Sequence, residues 1–92
     1  TRQVFGMFGG EVMRVSLEGR ADMVGVLIDR FGKDITVIPQ EDGRFTAQVE
    51  AAVSRPFIGW IVSLGDGVRI TGPEALVERM REEAQRLSEC YS

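Results

Sequence analysis

Ten of the eleven basic residues are arginine, and Lys33 is the one lysine. A guanidinium binds carboxylate or phosphate through paired N–H donors, so anion recognition is the first chemistry the sequence offers. A GC-rich genome also raises arginine content for no structural reason, and composition alone does not separate the two. The chain has no His and no Asn. That removes imidazole acid–base work, His metal sites and the common Ser-His and Cys-His nucleophile pairs. Cys90 is the single cysteine, so neither an internal disulfide nor a CxxC metal site can form. It lies beside Glu89 near the chain end and reads as an inert thiol. The carboxylates are spread along the chain without the paired spacing of a Ca²⁺ loop. No catalytic residue, no metal and no cofactor is expected, and the chain is not expected to be an enzyme.

A chain of 92 residues holds one domain. Hydrophobic residues make up 43% and charged residues 27%, the proportions of an ordinary folded domain. Net charge is −3, the wrong sign for a protein that binds duplex DNA by itself. No apolar run approaches the ~20 residues a bilayer span requires, so no membrane partner is expected. There is no signal-peptide pattern either. With one unpaired cysteine, the reducing cytoplasm is the expected location. The first residue is Thr1, not Met, which suggests a piece of a longer protein.

The anion-binding candidates need elements to carry them. Residues 1–10, TRQVFGMFGG, interleave Gly6, Gly9 and Gly10 with Phe5, Met7 and Phe8. Such dense glycine breaks regular structure, and the apolar residues suggest an arm that packs against a neighbour or back onto its own sheet. Met13, Val15 and Leu17 alternate as one face of a strand ending at Gly19. The period then changes: Val24, Leu27, Ile28 and Phe31 form the stripe of a helix over 21–31, with Gly32 at a left-handed C-cap. Gly25 inside that helix suggests close approach to a neighbouring element. Residues 34–39 read as a short strand. After the Glu41-Asp42-Gly43 turn, Phe45, Ala47, Val49, Ala51 and Val53 alternate as a second strand of the same hairpin.

Ser54 and Pro56 open a second helix. Its inward stripe is Phe57, Trp60, Ile61 and Leu64, with Phe57 and Trp60 read as core. Ile58 and Val62 lie off the stripe and read as interface residues. Gly65 ends the helix, and residues 68–71 form a brief strand. Thr71, Pro73 and Glu74 suggest a capping box for a last helix reaching about Tyr91. Its apolar side is Leu76, Val77, Met80, Ala84, Leu87 and Tyr91, and Glu82 is placed to pair with Arg86.

The order β-α-β-β-α-β plus a helix predicts an α+β, ferredoxin-like sandwich with an additional C-terminal helix. Acylphosphatases share that fold and need an Asn beside an Arg. Arg20 follows the first strand suitably, but no Asn exists to join it. Phe45, the strand aromatic, lies on the core face, which counts against RNA stacking.

Four stretches taken in order carry a resemblance: FGMFGG at 5–10, IDRFGKD at 28–34, FIGWIVSLGDGVRI at 57–70 and GPEALVERM at 72–80. Together they resemble the C-terminal extension domain (WCX) of WYL-family bacterial transcription regulators. The resemblance implies a WCX-type ferredoxin-like domain over 11–92, preceded at 1–10 by an apolar linker from a WYL domain. It implies an effector-side and dimerisation role in a homodimer. Duplex DNA would be bound only by a winged helix-turn-helix domain elsewhere in the same full-length chain. A nucleotide or single-stranded DNA is the effector class it implies. Neither the WYL tripeptide nor a helix-turn-helix is present in this sequence.

Arg20 and Arg55 each precede a helix, and Arg30 and Lys33 flank Gly32. These four are the candidate effector-binding residues, since helix starts and arginine both favour anions; the alternative is solvated surface charge. Phe5, Met7, Phe8, Ile58 and Val62 are the candidate interface residues. A different class of function is also open: a stand-alone, ACT-like domain that binds a small ligand such as an amino acid at a helix or dimer seam.

Overall fold

Alternation sets the two central strands. In β1 (Val12–Arg20) Val15, Leu17 and Gly19 are buried, while Arg14, Ser16, Glu18 and Arg20 point the other way. In β3 (Arg44–Ala52) Phe45, Ala47, Val49 and Ala51 are buried in the same core, as the alternation predicts. The two strands pair antiparallel over their whole length, from Val12 opposite Ala52 to Arg20 opposite Arg44. Two short strands complete the sheet: β2 (Thr36–Pro39) beside β3, and β4 (Val68–Gly72) beside β1, both antiparallel. The strand order is β2-β3-β1-β4. The computed structural model describes residues 11–92; the expected arm with Phe5, Met7 and Phe8 lies outside them.

Three helices cover one face of this sheet. After a 3₁₀ turn (Ala21–Met23), α1 (Val24–Phe31) joins β1 to β2. α2 (Arg55–Ser63) joins β3 to β4, and α3 (Glu74–Cys90) follows β4. Leu27 of α1, Phe57, Ile58 and Ile61 of α2, and Leu76 of α3 share one core with the buried strand residues. Each large side chain so buried contributes about 1.5–3 kcal/mol of transfer free energy. The result is an α+β sandwich of order βαββαβ with an additional C-terminal helix. α1 and α2 each connect two strands separated by an antiparallel neighbour, the interleaving that two βαβ halves produce.

Local signals mostly hold, with four departures. Ser54 caps α2 as expected, its Oγ accepting from Phe57 N–H at 3.3 Å. Gly32 has the positive φ of +89° expected of a glycine stop, but its ψ of 176° is extended, because the chain turns directly toward β2 instead of completing a left-handed cap. Gly25 does not approach another element: among the described residues nothing lies within 4 Å of where its Cβ would be. Thr71 does not cap α3; it belongs to β4, and Pro73 takes the cap position with no side-chain bond. Arg86 pairs with Glu83, not Glu82. Glu83 also receives Arg79, so it draws both arginines.

Candidate functional site

β2 is short, and that opens a cleft. It pairs only with Phe45–Gln48 of β3, so beyond Gln48 that side of β3 has no strand neighbour among the described residues. A cleft of about 460 Å³ occupies the gap. Its floor is apolar: Phe31 from the end of α1, Ile35 from the following turn, and Val49 of β3. Its walls are polar. Thr36 and Gln48 face each other across the β2–β3 ladder, and Arg14 stands opposite Glu50 across the β1–β3 ladder. Asp34 completes the rim. Among the described residues Arg14 makes no ion pair, so its donors remain available.

The aromatic cluster behind the floor stiffens it. Phe31 meets Trp60 edge-on, with centroids 5.6 Å apart at 84°, and Phe57 at 6.5 Å. Such pairs add about 0.5–1.5 kcal/mol beyond burial. The Arg30 guanidinium lies 4.8 Å above the Trp60 ring.

The four arginine and lysine candidates do not form one site. Arg20 ends β1 opposite Arg44 at the start of β3, whereas Arg55 follows the end of β3. A nine-residue strand is about 26 Å long, so Arg20 is separated from Arg55 by most of the sandwich. Arg20 is also occupied: its Nε and Nη1 donate to Asp22 and Asp66 at 3.3 and 3.4 Å. Arg30, Lys33 and Arg55 sit toward the cleft end. Arg30 is engaged with Trp60, and Arg55 lines a smaller groove with Ile58, Gly59, Arg79 and Glu83. Lys33 is exposed.

The interface candidates divide in a similar way. On α2, Phe57 is core as expected, whereas Trp60, also read as core, is only half-buried against it. Ile58 is corrected: it is only 3% exposed, because α3 covers the side of α2 that the sequence pattern leaves open. Val62 stays exposed at 42%. Phe5, Met7 and Phe8 are outside the described residues.

Pattern reading missed the open face of the sheet. There β1, β3 and β4 contribute Arg14, Arg20, Arg44 and Arg69 beside Glu18 and Glu50. Glu18 accepts from Arg69 and Arg44, and these hydrogen bonds hold its carboxyl below its ordinary range. Ser16 donates to Gln48 at 3.1 Å. Alternation in β1 and β3 marked these residues as outward, but only the register shows which meet. Among the described residues there is no cluster of His, Cys, Asp or Glu able to hold a metal, and no helix long and apolar enough to cross a membrane.

A family model, the WCX domain, matches residues 11–88. No curated protein matches the chain.

Proposed function

The chain belongs to the WCX domain family, and from that premise we propose that it is the effector-side and dimerisation module of a bacterial WYL-domain transcriptional regulator. The family is of a regulatory type, not a catalytic one. The observation that carries the reading is the family match across almost the whole folded region. In this reading a winged helix-turn-helix domain earlier in the full-length chain binds duplex DNA. A WYL domain follows it, and the present domain borders the effector groove. The effector class is a nucleotide or single-stranded DNA. Arg14, with an apolar and aromatic floor beside it, suits a ligand that has both phosphate and base.

The test uses the full-length protein. Removal of residues 11–92 should abolish the response to effector and weaken self-association. An unchanged response overturns the reading, as does an upstream reading frame with no helix-turn-helix or WYL segment.

One observation favours a second reading. The cleft carries Arg14 together with Asp34 and Glu50 over an apolar floor, a charge pattern that matches an amino acid's carboxylate, ammonium and side chain. A stand-alone ACT-like sensor would use it so. A melting shift of several degrees with an amino acid and none with oligonucleotides selects this second reading.

A further inference from the structure

Three polar side chains form one row across the open face of the sheet. Thr36 of β2 is the register partner of Gln48 of β3, and Gln48 is the partner of Ser16 of β1. Thr36 and Gln48 line the cleft, and Ser16 stands behind Gln48. The Ser16 hydroxyl donates to Gln48 Oε1 at 3.1 Å. That bond uses the acceptor end of the amide, so the two N–H donors of Nε2 are what Gln48 has left. With Oε1 turned toward β1, Nε2 lies on the cleft side, and among the described residues it donates to no protein group. A slip in the β1–β4 ladder seats Ser16: it stands opposite Gly72, whereas Leu17 stands opposite Ile70. Irregularities of this kind re-aim a side chain. Gly72 brings no side chain to bond the hydroxyl, which leaves Gln48 as its acceptor.

We propose that Gln48 is a specificity-determining residue of the cleft and that Ser16 is its positioning residue. The proposal rests on the effector reading above and specifies how the cleft tells one ligand group from another. Arg14 is opposite Glu50 in the β1–β3 ladder, so Gln48 is its diagonal neighbour on the open face, about 7–8 Å away. At that spacing the guanidinium and the amide N–H groups reach the same ligand group. The guanidinium attracts any anion; the amide, held by Ser16, adds neutral donors in a fixed direction. A group that presents only acceptor oxygens, a phosphate or a carboxylate, satisfies both. An ammonium in the same place sets donor against donor. Without the Ser16 hydroxyl the amide is free to turn its carbonyl oxygen toward the ligand, which repels an anion.

Titrations of the full-length protein test this. A short single-stranded oligonucleotide is the phosphate probe and leucine the carboxylate probe, and the variants are read on the one that the wild type binds. Arg14, Ser16 and Gln48 lie outside the core, so their variants keep the fold. Gln48→Ala binds about fivefold more weakly, the loss of one neutral hydrogen bond, and Ser16→Ala at least about threefold more weakly. Ser16→Thr, which keeps the hydroxyl on a residue suited to strands, binds as the wild type does. In the Gln48→Ala background Ser16→Ala weakens binding no further, because a residue that acts through another has nothing left to act on. Losses that multiply in the double variant, or wild-type affinity in Ser16→Ala, overturn the positioning role. If Arg14→Ala weakens binding and Gln48→Ala does not, the effector reading stands and this proposal falls. If no variant changes the affinity, Arg14→Ala included, or if neither probe binds, both fall.

Discussion

Glu18, on central strand β1, is held from both neighbouring strands: Arg69 of β4 donates to one carboxylate oxygen at 2.9 Å and Arg44 of β3 to the other at 3.3 Å. Glu83 on α3 is held comparably by Arg79 and Arg86. Both carboxyls are thereby drawn below the ordinary value of 4.5. A folded-state value below the unfolded one stabilises above the unfolded value, and that stability is lost as pH falls through the folded value. The chain has no His, so no side chain titrates ordinarily between pH 5 and 8. The melting temperature should be flat from pH 6 to 8 and fall below about 4.5. Glu18→Gln should melt lower at pH 7 and lose less on acidification. A calorimetric pH series that shows equal acid slopes for the variant and wild type contradicts the pairing.

Gly19 faces the carbonyl of Gly67 so closely that any Cβ would collide with it. The contact cannot relax easily, because the same carbonyl accepts the Arg20 N–H at 2.9 Å. Gly19→Ala should cost at least about 2 kcal/mol, roughly 10 °C in a domain of this size. Thermal unfolding within 2–3 °C of wild type would show that the β1–β4 junction is looser than described.

Gly25 makes the opposite case. It lies inside α1 with open space where a Cβ would go. Gly25→Ala should stabilise the domain by about 0.5–1 kcal/mol, read from urea midpoints at constant slope. A loss of stability means that something covers this side of α1.

Trp60 is the chain's one tryptophan, and the Arg30 guanidinium covers its ring. Arg30→Ala should cost about 0.5–1 kcal/mol and move the emission of Trp60 to longer wavelength as water reaches the ring. An unmoved spectrum contradicts the contact.

Alternation made the buried faces of β1 and β3 legible, because a period of two leaves few choices about which side is buried. Ser54 was legible because its side chain acts within one turn of its own position. What pattern could not reach depends on partners distant in sequence. Ile58 read as surface because no local signal tells that a third helix returns to cover α2. The double arginine grip on Glu18 needs the register of three strands. The cleft exists because β2 is shorter than β3, a difference of a few residues at element ends, where sequence reading is weakest. The expected Glu82–Arg86 pair failed for a related reason: spacing allowed two acceptors for Arg86, and Arg79 is positioned to share Glu83.

The cleft beside Arg14 is where the account is most exposed to test. On the proposed function, the affinity of the full-length protein for a short single-stranded oligonucleotide can be followed by fluorescence anisotropy for the wild type and for Arg14→Ala. One lost charge-assisted contact is worth about 1.5–3 kcal/mol, so the variant should bind the oligonucleotide at least tenfold more weakly while its affinity for duplex operator DNA is unchanged. Equal oligonucleotide affinity in the two proteins would contradict the assignment of this domain to the effector side.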